Sequence, residues 1–455
     1  MGTFPFGPGS FRAEFTGDQE VFRRIVERFA EESLRPRVRE VEATDSMPGD
    51  ILEAARSLGL MGVGIPQEYG GQGGGFMELA LMSEEISRVL PAFATILIVN
   101  RLFLSSLLRF GTEEQRRRYL PPMASGEAFA AHANTEPGAG SDVAGISTRA
   151  ERSGSGWVIN GRKMFISSAD RAGFFLVSAR TSPPEPGRRW RGLTTFVVER
   201  DAPGLSVGRR IEVLGLVGER PHEVILEDVE VPDSSVVGSV GNGFKVVVNS
   251  YDDSRIMVAA QAVGIAQGAL EAAFGYSVQR QAFGKPIASF EGVSFQLAEM
   301  LAEVGAARLL TYWAANMTES HDPHSVLASS MAKYYATEVA VRVARDAIRI
   351  HGGAGVDRDA LVERYLRDAM ITTIYEGTNE VQRLTIAKSL LRALSGPASI
   401  ERGDAQPPVT HPSSAASRST GRSRDPSFHL CTQLPWNGGP GDRRCAGARF
   451  REQRA

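Results

Sequence analysis

Cysteine is nearly missing from this chain. Its 455 residues hold two, Cys431 and Cys445, both close to the C-terminus, so a disulfide framework and a Cys-rich zinc or iron–sulfur site are excluded. A net charge is missing as well. The 51 basic residues stand against 53 acidic ones, which leaves no electrostatic case for nucleic acid or an anionic membrane. No unbroken run of 18 apolar residues occurs, so no membrane span is expected. Lysine is confined to Lys163, Lys245, Lys285, Lys333 and Lys388, a bias read as that of a GC-rich coding sequence. The opening MGTFPFGPGSFRAEF has neither the basic region nor the apolar core of a secretory signal, and Glu14 and Asp18 come too early for an acid-poor transit peptide. A cytoplasmic protein is the expectation. Generic motifs are absent too: there is no phosphate-binding GxxxxGK loop, no HExxH and no EF-hand loop, and no metal site is expected.

What the chain does have is an ordinary globular composition, 42% hydrophobic, and a length that implies about three domains at ~150 residues each. Residues 1–126 read as helical. Val21, Phe22, Ile25, Val26 and Phe29 recur at helical spacing behind the possible caps Thr16 and Asp18. Helices are also expected over 51–60, 76–89 and 92–110, and Thr112 with Gln115 forms a capping box. Residues 127–240 read as an antiparallel β domain, with strands at 157–159, 164–166, 174–179, 193–198 and 223–231. Asn160-Gly161 predicts a tight hairpin turn, since both residues tolerate positive φ. Residues 241–395 return to long helices, 244–279, 290–317, 325–350 and 384–394, the pattern of a four-helix bundle. From residue 396 the chain is rich in Pro, Ser, Gly and Arg without an apolar period, so 396–455 is expected to be disordered.

Single motifs decide nothing here. Gly138 to Gly145 has the wrong spacing for a dinucleotide loop, His351 to Gly355 reads as a helix cap, and Glu376 is one acid among 53. As a set they say more. TEPGAGSD (135–142), NGRKMFIS (160–167), RQAFGK (280–285), RIHGG (349–353) and IYEGTNEVQR (374–383) occur in that order. Together they make residues 15–392 resemble the acyl-CoA dehydrogenase family, whose helical, β and helical arrangement agrees with the reading above.

The resemblance implies oxidation of an acyl-CoA to the trans-2-enoyl-CoA, with FAD taking the β-hydrogen as hydride and a carboxylate removing the α-proton. Glu376 is the implied base. Its backbone N–H and a ribityl hydroxyl would stabilise charge on the thioester oxygen, and burial would raise its pKa. Thr135 and Ser167 would meet the isoalloxazine, with Phe165 flanking it and Ile166 beside them. Ser141 would touch the FAD pyrophosphate or the pantetheine. Arg280, Gly352 and Gly353 would reach the FAD of a neighbouring subunit, implying a homotetramer; Phe283 and Arg349 are further implied FAD contacts, the Arg349 guanidinium on the pyrophosphate, and Thr378 and Glu380 would hold the adenosine part. Asp252, Ser254 and Arg255 would lie along the CoA, with Tyr375 and Gly377 at the thioester. Ser254 occupies the position where some relatives carry their base, and serine has no carboxylate. This points to the short-, medium- or short-branched-chain type.

Ala94, Thr95 and Ile98 are the candidate pocket floor, with no arginine suited to a dicarboxylate. The implied electron acceptor is an electron-transfer flavoprotein. Ala282, Arg349, Glu291 and the segment 216–221 depart from the family pattern. A flavin-dependent oxidase or monooxygenase offshoot and a non-catalytic acyl-CoA-binding protein stay open as alternatives.

Overall fold

The computed structural model describes residues 15–395. The expectations for the first 14 residues, the 396–455 tail and both cysteines fall outside that range.

The chain begins with helices whose starts are written in their caps. Thr16 accepts the Gln19 N–H while the Gln19 side chain accepts from the Thr16 N–H, opening α1 (Gly17–Phe29). Thr112 and Gln115 do the same for α6 (Glu113–Ala124). Such a reciprocal pair satisfies two N–H groups that a helix start otherwise leaves bare. Between them lie α2 (Val38–Thr44), α3 (Gly49–Ser57), α4 (Phe76–Ser87) and α5 (Pro91–Phe110). Phe22, Val26, Phe93 and Ile96 are fully buried between these helices, and cutting back such a phenylalanine costs ~3–5 kcal/mol.

The second part is a sheet of β1 (Phe129–Ala133), β2 (Arg149–Ser153), β3 (Gly156–Ile166), β4 (Ala172–Arg180), β5 (Leu193–Glu199), β6 (Leu205–Arg210), β7 (His222–Pro232) and β8 (Val236–Val237). Its order is β6-β7-β3-β2-β4-β5-β8, with β1 beside β4. The expected antiparallel sheet is in fact mixed. β1 runs parallel to β4, Ala131 opposite Phe175, and β2 meets β4 in a parallel bridge. A parallel neighbour needs a long connection, and the Gly-rich segment with the β2–β3 hairpin provides it.

The Asn160-Gly161 turn is also corrected. Both residues lie inside β3, at a bulge against β7. Asn160 pairs with Asp228 across the strands, and a Cβ on Gly161 would stand 2.3 Å from the Thr148 hydroxyl. The glycine serves close approach, and the hairpin turns instead at Gly154, with φ 57°.

The third part holds α7 (Gly243–Gln279), a small ribbon of β9 (Gln281–Ala282) and β10 (Lys285–Pro286), then α8 (Glu291–Glu319), α9 (Ser325–His351), α10 (Glu363–Thr372) and α11 (Asn379–Ser395). The sequence reading missed α10. By length and composition α5 and α7 could each cross a bilayer, contrary to expectation, but 94% and 89% of their most apolar windows are buried inside the fold. They are core helices. A buried ion pair, Arg308 to Glu84 at 2.7 Å, clasps the first part to the bundle, and a second, Arg23 to Glu85 at 2.8 Å, ties α1 to α4. Tyr312 also donates to Glu84 at 2.7 Å. Arg308 also donates to Gln267 Oε1 on α7 at 2.7 Å, so the clasp joins α4 and α8 to α7, the helix that carries residues of the site.

Candidate active site

Between α10 and α11 the backbone makes a forced turn. Glu376 has φ 57° and Gly377 has φ 89°. A side-chain-bearing residue in that left-handed region costs on the order of 1 kcal/mol and persists only when its surroundings hold it. Three donors do so. The Glu376 carbonyl accepts from Arg255 Nε and Gln382 Nε2, both at 3.3 Å. The Gly377 carbonyl accepts from Gln382 Nε2 at 2.9 Å and Lys333 Nζ at 3.0 Å. Lys333 also reaches Asn379 Oδ1 at 3.0 Å, which Thr337 Oγ1 meets at 3.0 Å. With its carbonyl turned back to α7 and α11, Glu376 presents an N–H that has no acceptor among the described residues.

The Glu376 carboxyl lies against α7, where Ser254 Oγ donates to Oε2 at 2.6 Å. Burial pushes its pKa up to about 7, against the downward pull of Ser254, Arg255 and Lys333. Burial pushes Lys333 the other way, down to about 7, with Arg255 adding to the effect. Tyr251 is raised by burial and by the charge of Glu376. The turn therefore carries a carboxyl that changes charge near neutrality and a free backbone donor beside it. That is the equipment for taking a proton from carbon next to a carbonyl.

A second surface is built where the first two sequence segments meet. The Met164 N–H donates to the Thr135 carbonyl at 2.9 Å. Phe165 and Ser168 are both left-handed, at φ 56° and 59°, and Phe165 is 54% exposed. Glu219 accepts the Ser168 N–H at 3.1 Å, and burial pushes its carboxyl up to about 7. Below, the fully buried Lys163 pairs with Glu136 at 2.8 Å. Glu136 in turn accepts the N–H groups of Ser147 (2.7 Å) and Thr148 (3.0 Å), fixing the Gly-rich loop. Asn134 Nδ2 bonds the Tyr251 hydroxyl at 3.1 Å, and the rings of His132 and Tyr251 lie 5.4 Å apart. These contacts tie the end of β1 to α7 and bring this surface to the base.

That surface fits a flavin. It offers an aromatic face at Phe165, a hydroxyl at Thr135 and another at Ser167 that also bonds Glu219, and two buried polar atoms without partners among the described residues, His132 Nε2 and Asn134 Oδ1. A planar ring with apolar faces and a polar edge matches that donor set. Next to it, a Cβ at Gly138 or Gly140 would meet nothing within 4 Å.

The remaining expected site residues divide. Ile166 is 1% exposed and packs in the sheet core, so only its backbone is available to a ligand. Ser254, expected along the CoA, is fully buried behind the base instead, because α7 turns that face inward. Asp252 and Arg255 pair with each other, and Arg255 also holds Glu376. Tyr375 donates to Gln261, which donates to Thr95 Oγ1 at 2.8 Å, while Ala94 and Ile98 sit in the core. Thr378 caps α11, its Oγ1 accepting the Val381 N–H at 3.3 Å. Glu380 is exposed beside Arg383 at 3.2 Å, and Ser141 is exposed.

Arg280, Phe283, Arg349, Gly352 and Gly353 stand apart from the base. They cluster where Tyr276 stacks on His351 at 4.3 Å, roughly 28 Å along α9 from Lys333 at 1.5 Å per residue. All five are exposed, Phe283 to 95%. Sequence reasoning missed Lys333, Gln382, Tyr251, Asn134 and Gln261. The one available signal was the scarcity of lysine, since the fully buried lysines Lys163 and Lys333 both serve the site.

Comparison with known proteins follows the same lines. Sequence models of the N-terminal, middle and C-terminal domains of acyl-CoA dehydrogenase match residues 16–127, 131–229 and 241–391. An acyl-CoA dehydrogenase of Bacillus subtilis is 41% identical over 377 residues, covering 83% of this chain and 98% of its own. The structure of butyryl-CoA dehydrogenase from Megasphaera elsdenii superposes with a TM-score of 0.81 at 35% identity, over 84% of this chain and all (100%) of its own. A chain in the work on the electron transferring flavoprotein of Acidaminococcus fermentans gives 0.81 at 37% identity, over 84% of this chain and 100% of its own.

Proposed function

Because the chain belongs to the acyl-CoA dehydrogenase family, whose members are FAD-dependent flavoproteins, we propose that it oxidises a short acyl-CoA to the trans-2-enoyl-CoA with Glu376 as the base. The observation that carries this is the left-handed Glu376–Gly377 turn, which holds a carboxyl of pKa about 7 beside an N–H that is unpaired among the described residues. Bound FAD would supply the hydride acceptor. Thr135, Phe165 and Ser167 would hold its ring. The Glu376 N–H would meet the thioester oxygen, making the α-proton acidic enough for a carboxylate. Gly377 would let the thioester come close, and the Glu376 carboxylate would take the proton. Tyr375, next to the base, is held by the hydrogen-bonded Gln261 and Thr95, a fixed wall that supports a short acyl group.

The exposed cluster around Phe283 and Gly353 supports a homotetramer in which it contacts the FAD of another subunit. The likeness to the Acidaminococcus fermentans chain supports an electron-transfer flavoprotein as acceptor, tested by its anaerobic reduction in the presence of acyl-CoA. The central test is flavin bleaching after anaerobic mixing with acyl-CoAs of graded length. Glu376→Gln keeps the shape and the N–H but cannot take the proton. Bleaching should fall by ~10²–10⁴-fold with acyl-CoA affinity retained. Bleaching near the parental rate would remove Glu376 as the base.

A further inference from the structure

Ser254 has one proton and two acceptors in reach, Glu376 Oε2 at 2.6 Å and the Tyr251 carbonyl at 3.1 Å. When the carboxylate is ionised, the shorter, charge-assisted bond takes the proton. Ser254 is fully buried in α7, where bulk water does not compete for its proton. We infer that Ser254 is a positioning residue that occupies Glu376 Oε2 and leaves Oε1 as the atom that accepts the substrate proton. The inference rests on the proposed function above.

In the step itself the Cα–H bond breaks, an O–H bond forms at Oε1, and the electron pair stays with the substrate. Oε2 then becomes the carbonyl oxygen of a carboxylic acid and still accepts from Ser254. The hydrogen bond survives proton transfer with the atoms in place, so the strained turn need not rearrange between the two states. The base works pre-aimed, and that is worth rate only if the aim is the same before and after. The other titratable or charged groups around the carboxyl are Tyr251 and Arg255 on α7, Lys333 on α9 and the neighbouring Tyr375. At 2.6 Å none of them fits between Ser254 and Oε2.

The test uses the full FAD-loaded protein with Ser254→Ala and Ser254→Thr, reading single-turnover flavin bleaching against pH and, separately, acyl-CoA affinity. Ser254→Ala should slow bleaching at least about tenfold and move its acid limb to higher pH, because a donor that favoured the carboxylate is gone. Affinity should stay within about twofold, and Ser254→Thr should restore both limb and rate. An acid limb that stays in place with a rate within about twofold overturns the positioning role. An affinity loss with the rate unchanged overturns it in favour of a CoA contact. If the parent protein is bleached by no acyl-CoA, the function itself is refuted and this inference falls with it. If the parent is bleached and the alanine variant behaves like it, the inference alone falls.

Discussion

Replacing Lys333 with methionine removes an ammonium that α9 buries completely beneath the Glu376 turn. Two hydrogen bonds go with it, to the Gly377 carbonyl and to Asn379 Oδ1. Each acceptor keeps a second donor, Gln382 Nε2 at 2.9 Å and Thr337 Oγ1 at 3.0 Å. The loss should therefore be about 1 kcal/mol per bond and not the full penalty of an orphaned group. Against it stands the cost of burying the charge, seen in a Lys333 pKa pushed down to about 7. A lysine lowered in the fold weakens stability as pH falls from its unfolded value of 10.5 toward 7, and below that the whole penalty is present. Methionine fills the volume and lifts that penalty, so overall stability should lie within about 2 kcal/mol of the parent.

The base should respond differently. Lys333 is among the charges that hold the Glu376 carboxyl down, so its ionisation should move up by on the order of one pH unit. With the parent carboxyl at about 7, roughly half is ionised at pH 7. In the variant that falls to roughly a tenth, so bleaching should be about fivefold slower at pH 7, the gap closing by about pH 9. The sign also holds for stability. A carboxyl raised in the fold stabilises below its unfolded value of 4.5 and loses that contribution as pH rises through about 7, the interval over which activity appears. Stopped-flow bleaching from pH 6 to 10, beside denaturant unfolding, reads both. An unmoved acid limb would refute the electrostatic coupling. A collapse in stability would make Lys333 a structural pin and nothing more.

Two further outcomes are expected. Gly377→Ala would force a Cβ to within 2.6 Å of Gln382 Nε2 at φ 89°; displacing Gln382 and straining the turn should cost about 2–3 kcal/mol and slow bleaching at least about tenfold, with denaturant unfolding and stopped-flow as the measurements. Phe283, 95% exposed, should be covered in the assembly, so Phe283→Glu should shift sedimentation to smaller species and lower FAD content; a parent protein that sediments as a fully FAD-loaded monomer would refute the shared site.

Much of the architecture was readable from local pattern. The capping pairs Thr16–Gln19 and Thr112–Gln115 mark their helices because both partners lie within one turn of chain; α7 is marked by a long apolar run, buried on every side over 253–270, and α8 and α9 by the stripe that each buries. Asn160-Gly161 misled for the opposite reason: its glycine answers to Thr148, in the loop that leads into β2, and not to a local turn. β1 escaped notice because its residues are buried on both sides, leaving no alternation to read. Glu376 stood out only through a five-segment resemblance, since no local property separates it from other acids. What makes it a base was decided by the tertiary structure. Ser254 lies 122 residues away in sequence and Lys333 is 44 residues from Gly377. Their contacts exist only once α7, α9 and α11 are packed, and the same packing removes the water that would otherwise leave the carboxyl an ordinary acid.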